Sequence, residues 1–211
     1  IDGLGSYTSD VKELAFGVGS PLLASDRVVT FQALGGTGGL KVGADFLRWV
    51  DPQARVLISS PSWENHQALF ARAGFEVASH RYYDATQHSV DFDGMIADLA
   101  SAPAGTIVVL HACCHNPTGY DLTHEQWDSV IDVVDRQGLV PFIDMAYQGF
   151  ADGVEEDSWV VRRFAERIAS FLVATSFSKS FGLYGERVGA ISVVCADTQE
   201  ASRVRSQMKI V

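Results

Sequence analysis

The sequence predicts an α/β fold with a mostly parallel, seven-stranded-type sheet and helices on both faces. Short apolar runs alternate with longer amphipathic segments along the chain, which is the order of repeated strand–helix units. The apolar runs are continuous, as in Val56-Leu57-Ile58, and such runs are typical of strands buried on both faces. With 211 residues, of which 47% are hydrophobic, the chain suits one large domain.

The first part of the chain is irregular over residues 1–26 apart from one short helix, and then alternates strands and helices. Leu40, Ala44 and Leu47 recur at helical spacing. Pro61 stops a strand and Gly74 ends a helix. The predicted elements are a helix at Ser9–Phe16, a strand at Val28–Leu34, a helix at Leu40–Val50, a strand at Val56–Ser60, a helix from Trp63 to about Ala73 and a strand at Phe75–Tyr83.

The second part continues the alternation to the end of the chain. Thr123 is followed three residues later by Gln126, the spacing of a capping box at a helix start. The predicted elements are a helix at Phe92–Ala100, a strand at Thr106–Ala112, a helix from Thr123 to Gln137, a strand at Leu139–Ile143, a helix at Ser158–Ala169, strands at Phe171–Ala174 and Val188–Val194, and a helix at Gln199–Val211.

Charge and hydropathy narrow the classes of partner. The formal net charge is −10, which argues against nucleic acid or an anionic membrane surface, because both favour basic patches. No stretch has the length of a transmembrane helix and no secretory signal is present. These features predict a cytoplasmic protein, and a start at Ile1 rather than Met predicts a piece of a longer one.

The three cysteines do not form a disulfide framework, because the count is odd and two of them are adjacent. Reduced thiols in the cytoplasm are the simpler interpretation. The run from His111 to His115, which contains Cys113 and Cys114, has residue types that bind zinc. In an extended segment the two adjacent cysteines would point to opposite faces, and no second ligand pair stands nearby. The sequence therefore predicts no metal site.

Lys179 stands out because it lies between Ser178 and Ser180 in a turn between two predicted strands. An amine in such a turn suits a nucleophile that is partly desolvated and deprotonated. Ser176, Ser178 and Arg187 would supply donors to a phosphate next to it. A solvated surface lysine is the alternative for an isolated motif of this kind, and Arg187 could instead pair with Glu186.

Two further stretches end predicted strands with residues that suit chemistry. The run from Gly35 to Gly39 lies between a strand and a helix start, where free N–H groups and the helix dipole favour a phosphate. A plain glycine-rich turn explains it equally well. Asp144 follows the apolar run Leu139–Ile143, where a buried carboxylate would need a partner, although aspartates are also common in caps and turns.

These stretches together resemble the class I aminotransferases, the family of aspartate and aromatic amino acid aminotransferases. The resemblance covers nearly the whole chain. The residues of Leu40–Leu47 and Tyr184–Arg187 are most similar to those of bacterial aromatic (tyrosine-type) enzymes, with aspartate aminotransferase as the close runner-up. It implies a fold type I enzyme dependent on pyridoxal 5′-phosphate (PLP), with residues 1–211 as its cofactor-binding large domain. The matched segments, in the family's order, are Gly35–Gly39, Pro61–His66, Cys113–Gly119, Asp144–Phe150 and Ser176–Gly189.

The resemblance also implies roles for individual residues. Lys179 would hold the cofactor aldehyde as a Schiff base and then move the substrate proton. Asp144 would face the pyridine nitrogen, supported by His66. Residues implied on the ring and its O3′ oxygen are Trp63, Asn116 and Tyr147, of which Trp63 and Asn116 also meet substrate. Residues implied on the phosphate are Gly36, Thr37, Gly38, Ser176, Ser178 and Arg187.

By the same resemblance, the reaction is transamination between an L-amino acid and a 2-oxo acid, in a homodimer of the full-length protein. The substrate-binding arginines and a tyrosine from the partner subunit would lie outside this sequence. Two alternatives therefore stay open. The chain is a fragment that keeps the fold and binds PLP or phosphate without turnover, or the scaffold serves another PLP reaction such as that of a lyase.

Overall fold

The computed structural model describes residues 2–211. Its centre is a seven-stranded sheet with the order β1-β9-β8-β7-β6-β2-β3. Strand β9 is antiparallel to β1 and β8, and the other neighbouring pairs are parallel. The strands are β1 Val28–Leu34, β2 Arg55–Ser60, β3 Glu76–Arg81, β6 Ile107–His111, β7 Val140–Met145, β8 Phe171–Ser176 and β9 Val188–Val194, with a separate two-stranded hairpin of β4 Tyr83–Asp84 and β5 Ser89–Val90.

Helices cover both faces of the sheet, as the continuous apolar strands require. The helices are α1 Gly5–Phe16, α2 Pro21–Ala24, α3 Gly35–Val50, α4 Glu64–Arg72, α5 Phe92–Ser101, α6 His124–Gln137, α7 Val154–Asp157, α8 Trp159–Arg167 and α9 Thr198–Met208. Helices α3, α4 and α9 pack on one face, around Phe142 and Ile191. Helices α1, α5, α6 and α8 pack on the other, around Ile143 and Val173. The predicted α/β class and mostly parallel sheet are confirmed.

Several predicted boundaries were wrong. Helix α3 begins at Gly35, not at Leu40, so the glycine run is a helix start rather than a turn before one. Helix α1 begins at Gly5 and thus orders part of the stretch predicted to be irregular. The strand predicted through Tyr83 ends at Arg81, and Tyr83 belongs to the separate hairpin. The short helices α2 and α7 had no periodic signal because each has four residues.

The topology brings the polar strand ends to one edge of the sheet. The carboxyl ends of β1, β2, β6, β7 and β8 share this edge because these strands run in the same direction, and the amino end of antiparallel β9 joins them. Sites of open α/β sheets form at this edge. Residues that lie far apart along the chain therefore meet there.

Candidate functional site

A cavity of about 170 Å³ lies at this edge of the sheet. It is surrounded by residues from the first turns of α3, from the ends of β6, β7 and β8, and from the segments that follow β2, β6, β7 and β8. The lining residues are Gly36, Thr37, Leu40, Trp63, His111, Cys113, Cys114, Asn116, Asp144, Ala146, Tyr147, Ser176, Ser178, Lys179, Tyr184 and Arg187.

Asp144 is a buried carboxylate at the floor of this cavity. It lies within strand β7, directly opposite His111 of β6, and is neither a helix cap nor a turn residue. Its Oδ2 atom is 2.9 Å from Nε2 of His66, whose side chain is fully buried in the first turn of α4. The partner that a buried carboxylate requires is therefore supplied from a neighbouring helix.

The hydrogen bonds around His66 fix the positions of its protons. The backbone N–H of Asn116 donates to Nδ1 of His111 over 3.2 Å, so the proton of His111 sits on Nε2. That nitrogen is 3.3 Å from Nδ1 of His66, which acts as an acceptor and also lies 3.0 Å from Oγ of Ser62. His66 therefore carries its proton on Nε2 and donates it to Asp144, which stays an acceptor.

Burial and these neighbours shift the pKa values of the cluster. Burial alone would raise the pKa of Asp144, but the hydrogen bond from His66 and the nearby His111 and Lys179 lower it below its usual range. Burial, with His66 beside it, lowers the pKa of His111 to about 4. At neutral pH the cluster thus holds a carboxylate next to a neutral His111. His66, His111 and Asp144 have ligand atoms within 4.8 Å of one another, yet these atoms are already engaged in mutual hydrogen bonds.

The amine of Lys179 faces the same cavity from the segment that follows β8. Its Nζ atom lies 4.4 Å from the ring centre of Tyr147 and 5.8 Å from that of Tyr184. Burial lowers the pKa of this amine and the charge of Arg187 adds to the effect, while Asp144 opposes it. A larger fraction of the amine is therefore neutral than for a solvated lysine.

The start of α3 forms an anion cradle at the opposite end of the cavity. No side chain caps this helix and its first turn contains no acidic residue, so its first N–H groups and the positive end of its dipole are available. A Cβ atom at Gly36 would lie 2.8 Å from Cβ of Ser176, and one at Gly35 would lie 2.6 Å from Nη2 of Arg187. Glycine thus permits the close approach of helix, strand and guanidinium.

Arg187 stands beside the cradle without an acidic partner in the part of the chain that the structure describes. Its guanidinium donates to the backbone oxygen of Tyr184 over 2.9 Å and lies 3.5 Å from Oγ of Ser178. The alternative of a salt bridge with Glu186 is wrong. An unpaired guanidinium next to a helix start favours an oxyanion, because both present N–H donors and positive charge.

The structure brings most of the predicted site residues together. Those that line the cavity are Gly36, Thr37, Trp63, Asn116, Asp144, Tyr147, Ser176, Ser178, Lys179 and Arg187. His66 lies behind Asp144 and does not reach the cavity itself. Gly38 does not line it either, because its Cβ position points to Leu34 and Ala33 at the end of β1. Any part that Gly38 has is therefore limited to its backbone.

Sequence reasoning missed several lining residues, most importantly His111 and Tyr184. The sequence did hold a signal for His111. It lies in one predicted strand and Asp144 directly follows another, and adjacent parallel strands place these two residues opposite each other. The prediction that Cys113 and Cys114 point to opposite faces was wrong. Cys114 has a positive φ of 50°, so the segment is not extended there, and both cysteines line the cavity.

A mostly parallel sheet with a lysine, a buried carboxylate and an anion cradle at its carboxyl edge defines an α/β protein with an enzyme-like site. The family model described as "Aminotransferase class I and II" matches residues 1–211, and the chain belongs to this family. Within residues 2–211, no helix has the length and apolar character needed to cross a membrane.

Individual relatives agree with this assignment. The chain is 57% identical over 209 residues to an aspartate aminotransferase of Pseudomonas aeruginosa, a match that covers 99% of the chain and 52% of the relative. It is 50% identical to an aromatic-amino-acid aminotransferase of Escherichia coli, over 99% of the chain and 53% of the relative. The chain thus spans about half the length of these relatives.

Solved structures give the same result. An aromatic-amino-acid aminotransferase from Burkholderia pseudomallei, covalently bound to pyridoxal phosphate, superimposes with a TM-score of 0.98 at 58% identity. The match covers 100% of this chain and 53% of that one. A mitochondrial aspartate aminotransferase from Trypanosoma brucei matches with a TM-score of 0.96 at 40% identity, over 100% of this chain and 56% of that one.

Proposed function

We propose that residues 1–211 form the PLP-binding large domain of an aminotransferase that moves an amino group between an L-amino acid and a 2-oxo acid. The observation that carries this proposal is the shared cavity of Lys179, Asp144 and Arg187. It combines an amine of lowered pKa, a buried carboxylate and an anion cradle. The family match and the PLP-bound structural relative support the same assignment.

The residues present fit this cofactor at both of its polar ends. The anion cradle at the start of α3, with Ser176, Ser178 and Arg187, suits a phosphate because it offers N–H and O–H donors and positive charge. Glycine at position 36 leaves room for this anion, since a Cβ atom there would lie 2.8 Å from the Cβ of Ser176. At the other end, Asp144 suits a protonated ring nitrogen, since His66 already satisfies one of its oxygens and keeps it ionised.

Side chains between these ends suit the ring itself. Trp63 offers an aromatic face to a flat cationic ring. Asn116 and Tyr147 offer an amide and a hydroxyl for the ring oxygen. We assign to Trp63 and Asn116 contacts with the substrate as well. Gly38 contributes at most its backbone N–H group to the phosphate.

When bound, PLP supplies an aldehyde that links covalently to amines and a protonated ring that withdraws electrons. The task of Asp144 is to hold the proton on the ring nitrogen, and that of His66 is to keep Asp144 an acceptor. Lys179 would carry the cofactor and, as a free amine, would take a proton from the α-carbon of the amino acid. Its lowered pKa suits this work, because a base must be neutral to accept a proton.

We propose aromatic amino acids and aspartate as the substrate classes, with a 2-oxo acid such as 2-oxoglutarate as acceptor. The relatives named for these two classes match at 50% and 57% identity, which supports both. We further propose a cytoplasmic protein that acts as a homodimer at full length and has no nucleic-acid or membrane partner. The acidic net charge of −10 supports the last point.

A second candidate function is cofactor binding without turnover. The observation that favours it is that the chain spans about half the length of its relatives. The residues of the described cavity serve the cofactor more than the substrate: Arg187 is its one lining arginine and is assigned to the phosphate. A substrate carboxylate therefore has no guanidinium of its own within this cavity.

Cofactor attachment is tested by adding PLP and recording visible absorbance, followed by borohydride reduction and peptide mass analysis. We expect absorbance and a reduced adduct on Lys179, and loss of both in Lys179→Ala. Lys41→Ala is the matched control, because Lys41 is half exposed beside Asp45 and lies outside the cavity. Equal labelling of the two variants would refute the proposal.

Transamination is tested separately on the PLP-loaded chain. L-Tyrosine, L-phenylalanine or L-aspartate is added and pyridoxamine phosphate is measured. Its formation supports the aminotransferase activity of this chain. Attachment on Lys179 without pyridoxamine phosphate supports the second candidate and rules out turnover by these 211 residues alone.

A further inference from the structure

The adjacent thiols of Cys113 and Cys114 have no part in the proposed function, although both line the cavity. They lie just beyond strand β6, in the segment between Ala112 and His115. The side chain of Cys113 is buried and that of Cys114 is half-buried. The third cysteine, Cys195, is buried and lies outside this cavity.

The backbone holds the two thiols toward the same space. Cys114 has a φ of 50°, in the left-handed region that residues other than glycine seldom adopt. The carboxylate of Asp121 accepts the N–H of Cys114 over 2.7 Å and that of His115 over 2.8 Å. These two bonds fix the turn, so the thiols face the cavity together.

The two thiols belong to adjacent residues that line one cavity, but they are poorly placed for a direct bond. Burial raises the pKa of both thiols, so they are protonated at neutral pH, and both side chains pack in the same hydrophobic cluster. The peptide between them is not one of the cis bonds, so their Cα atoms are about 3.8 Å apart. Disulfides usually span about 4.4–6.8 Å between Cα atoms. A bridging atom between the sulfurs relieves that constraint.

We propose that Cys113 and Cys114 form a two-thiol site for soft trivalent thiophiles, with organic arsenic(III) oxides as the representative class. One arsenic atom forms a bond to each sulfur while its bond to oxygen breaks. The oxygen leaves as water and takes both thiol protons, so neither arsenic nor sulfur changes oxidation state. No oxidant or reductant is needed.

The two arsenic–sulfur bonds form one after the other. The half-buried thiol of Cys114 reacts first, because it is the more accessible of the two. Cys113 then closes the ring at a high effective concentration, since it is the neighbouring residue and already faces the same space. The resulting adduct is held by two bonds and should resist competing single thiols.

The experiment treats the folded chain with one equivalent of phenylarsine oxide and measures the intact mass. We expect one adduct, stable to excess 2-mercaptoethanol and removed by a dithiol. Cys113→Ser and Cys114→Ser should each lower its retention against 2-mercaptoethanol at least about tenfold, because one bond remains instead of two. Cys195→Ser is the matched control and should behave as the wild type.

Three results would overturn the proposal. They are an adduct that needs denaturant to form, an adduct equally stable in Cys113→Ser or Cys114→Ser, and an adduct lost in Cys195→Ser. The measurement requires no PLP, so its outcome is independent of the proposed cofactor and reaction.

Discussion

At the scale of single residues, the site depends on one buried hydrogen bond, between His66 and Asp144. Both side chains are nearly inaccessible to water, at 0% and 7% exposure. A carboxylate in this position is tolerated only while a donor satisfies it. The N–H of Asn116 places the proton of His111 on Nε2, and His111 in turn places the proton of His66 on Nε2. The donor to Asp144 is therefore present.

Replacement of His66 should therefore destabilise the whole chain. We expect His66→Leu, which roughly keeps the side-chain volume, to lower the free energy of unfolding by about 3 kcal/mol at pH 7, since it leaves Asp144 buried without its donor. Urea unfolding followed by circular dichroism measures this change. Gln87→Leu is the control, because Gln87 is exposed and its side chain makes no hydrogen bond among the described residues.

The double variant His66→Leu with Asp144→Asn separates the lost ion from lost packing. If the unpaired carboxylate causes the effect, the double variant should recover about half or more of the stability lost by His66→Leu. Additive losses, or a His66→Leu variant as stable as the wild type, would contradict this account.

At the scale of elements, the loop after β7 is held by a single carboxylate. Asp157, at the end of α7, accepts the backbone N–H groups of Gly149, Ala151, Asp152 and Gly153 over 2.8–3.4 Å. Gln148 precedes this loop, and its backbone oxygen accepts the hydroxyl of Ser180 over 3.0 Å. The loop is thereby linked to the residue next to Lys179.

Asp157→Ala should release this loop. Four amide groups lose their acceptor, so we expect a loss of about 2 kcal/mol in unfolding free energy and hydrogen exchange at least about tenfold faster in the loop. Exchange measured by mass spectrometry on peptides covering residues 147–157 tests this. Glu156→Ala is the control, because Glu156 is exposed on the same short helix. Unchanged exchange in Asp157→Ala would show that other contacts hold the loop.

The elements also show where sequence reasoning succeeds and fails. Strands and long helices were predictable, because apolar periodicity follows burial. The start of α3 was not, because glycine is a poor helix former. The glycines are needed there for tertiary reasons: a Cβ atom at Gly39 would lie 2.6 Å from the backbone oxygen of Ala190, and one at Gly43 would lie 2.5 Å from the ring of Phe142. Packing that involves distant strands cannot be read from a local pattern.

The candidate site was predictable to a similar degree. The strand-end positions of Lys179 and Asp144 were evident from the sequence because a parallel sheet gathers such ends. The part played by His66 came from family resemblance alone. The hydrogen bond from His111 to His66 depends on how helix α4 packs against strand β6, and the inward turn of Cys114 depends on one backbone angle; neither leaves a local sequence signal.

At the scale of the whole molecule, buried and half-buried histidines join separate parts of the fold. They are His66 on α4, His80 on β3, His111 on β6 and His115 in the segment after β6. The ring of His115 stacks on that of Tyr82 at 3.8 Å and its Nε2 lies 2.8 Å from Oγ of Ser59. The hydrogen bonds of His111 and His115 suit neutral rings, so added protons disturb several elements at once.

This arrangement predicts acid sensitivity in a defined pH window. Burial, with neighbouring histidines, lowers the pKa of His111 to about 4 and that of His115 to about 3, whereas an unfolded histidine titrates near 6.5. Below about pH 6.5 the unfolded chain therefore binds more protons than the folded one. Stability is fully present above that pH and is lost as the pH falls toward 4.

Each of the two histidines should cost about 1 kcal/mol of unfolding free energy between pH 7 and pH 5.5. Urea midpoints at the two pH values measure the loss, and His115→Gln should reduce it by about 1 kcal/mol because one titrating ring is gone. His88→Gln, at an exposed position, should keep the wild-type pH dependence. If His115→Gln and His111→Asn both lose stability as steeply as the wild type, these two rings are not the groups that take up the protons, and His80, whose pKa is also lowered by burial, becomes the alternative source.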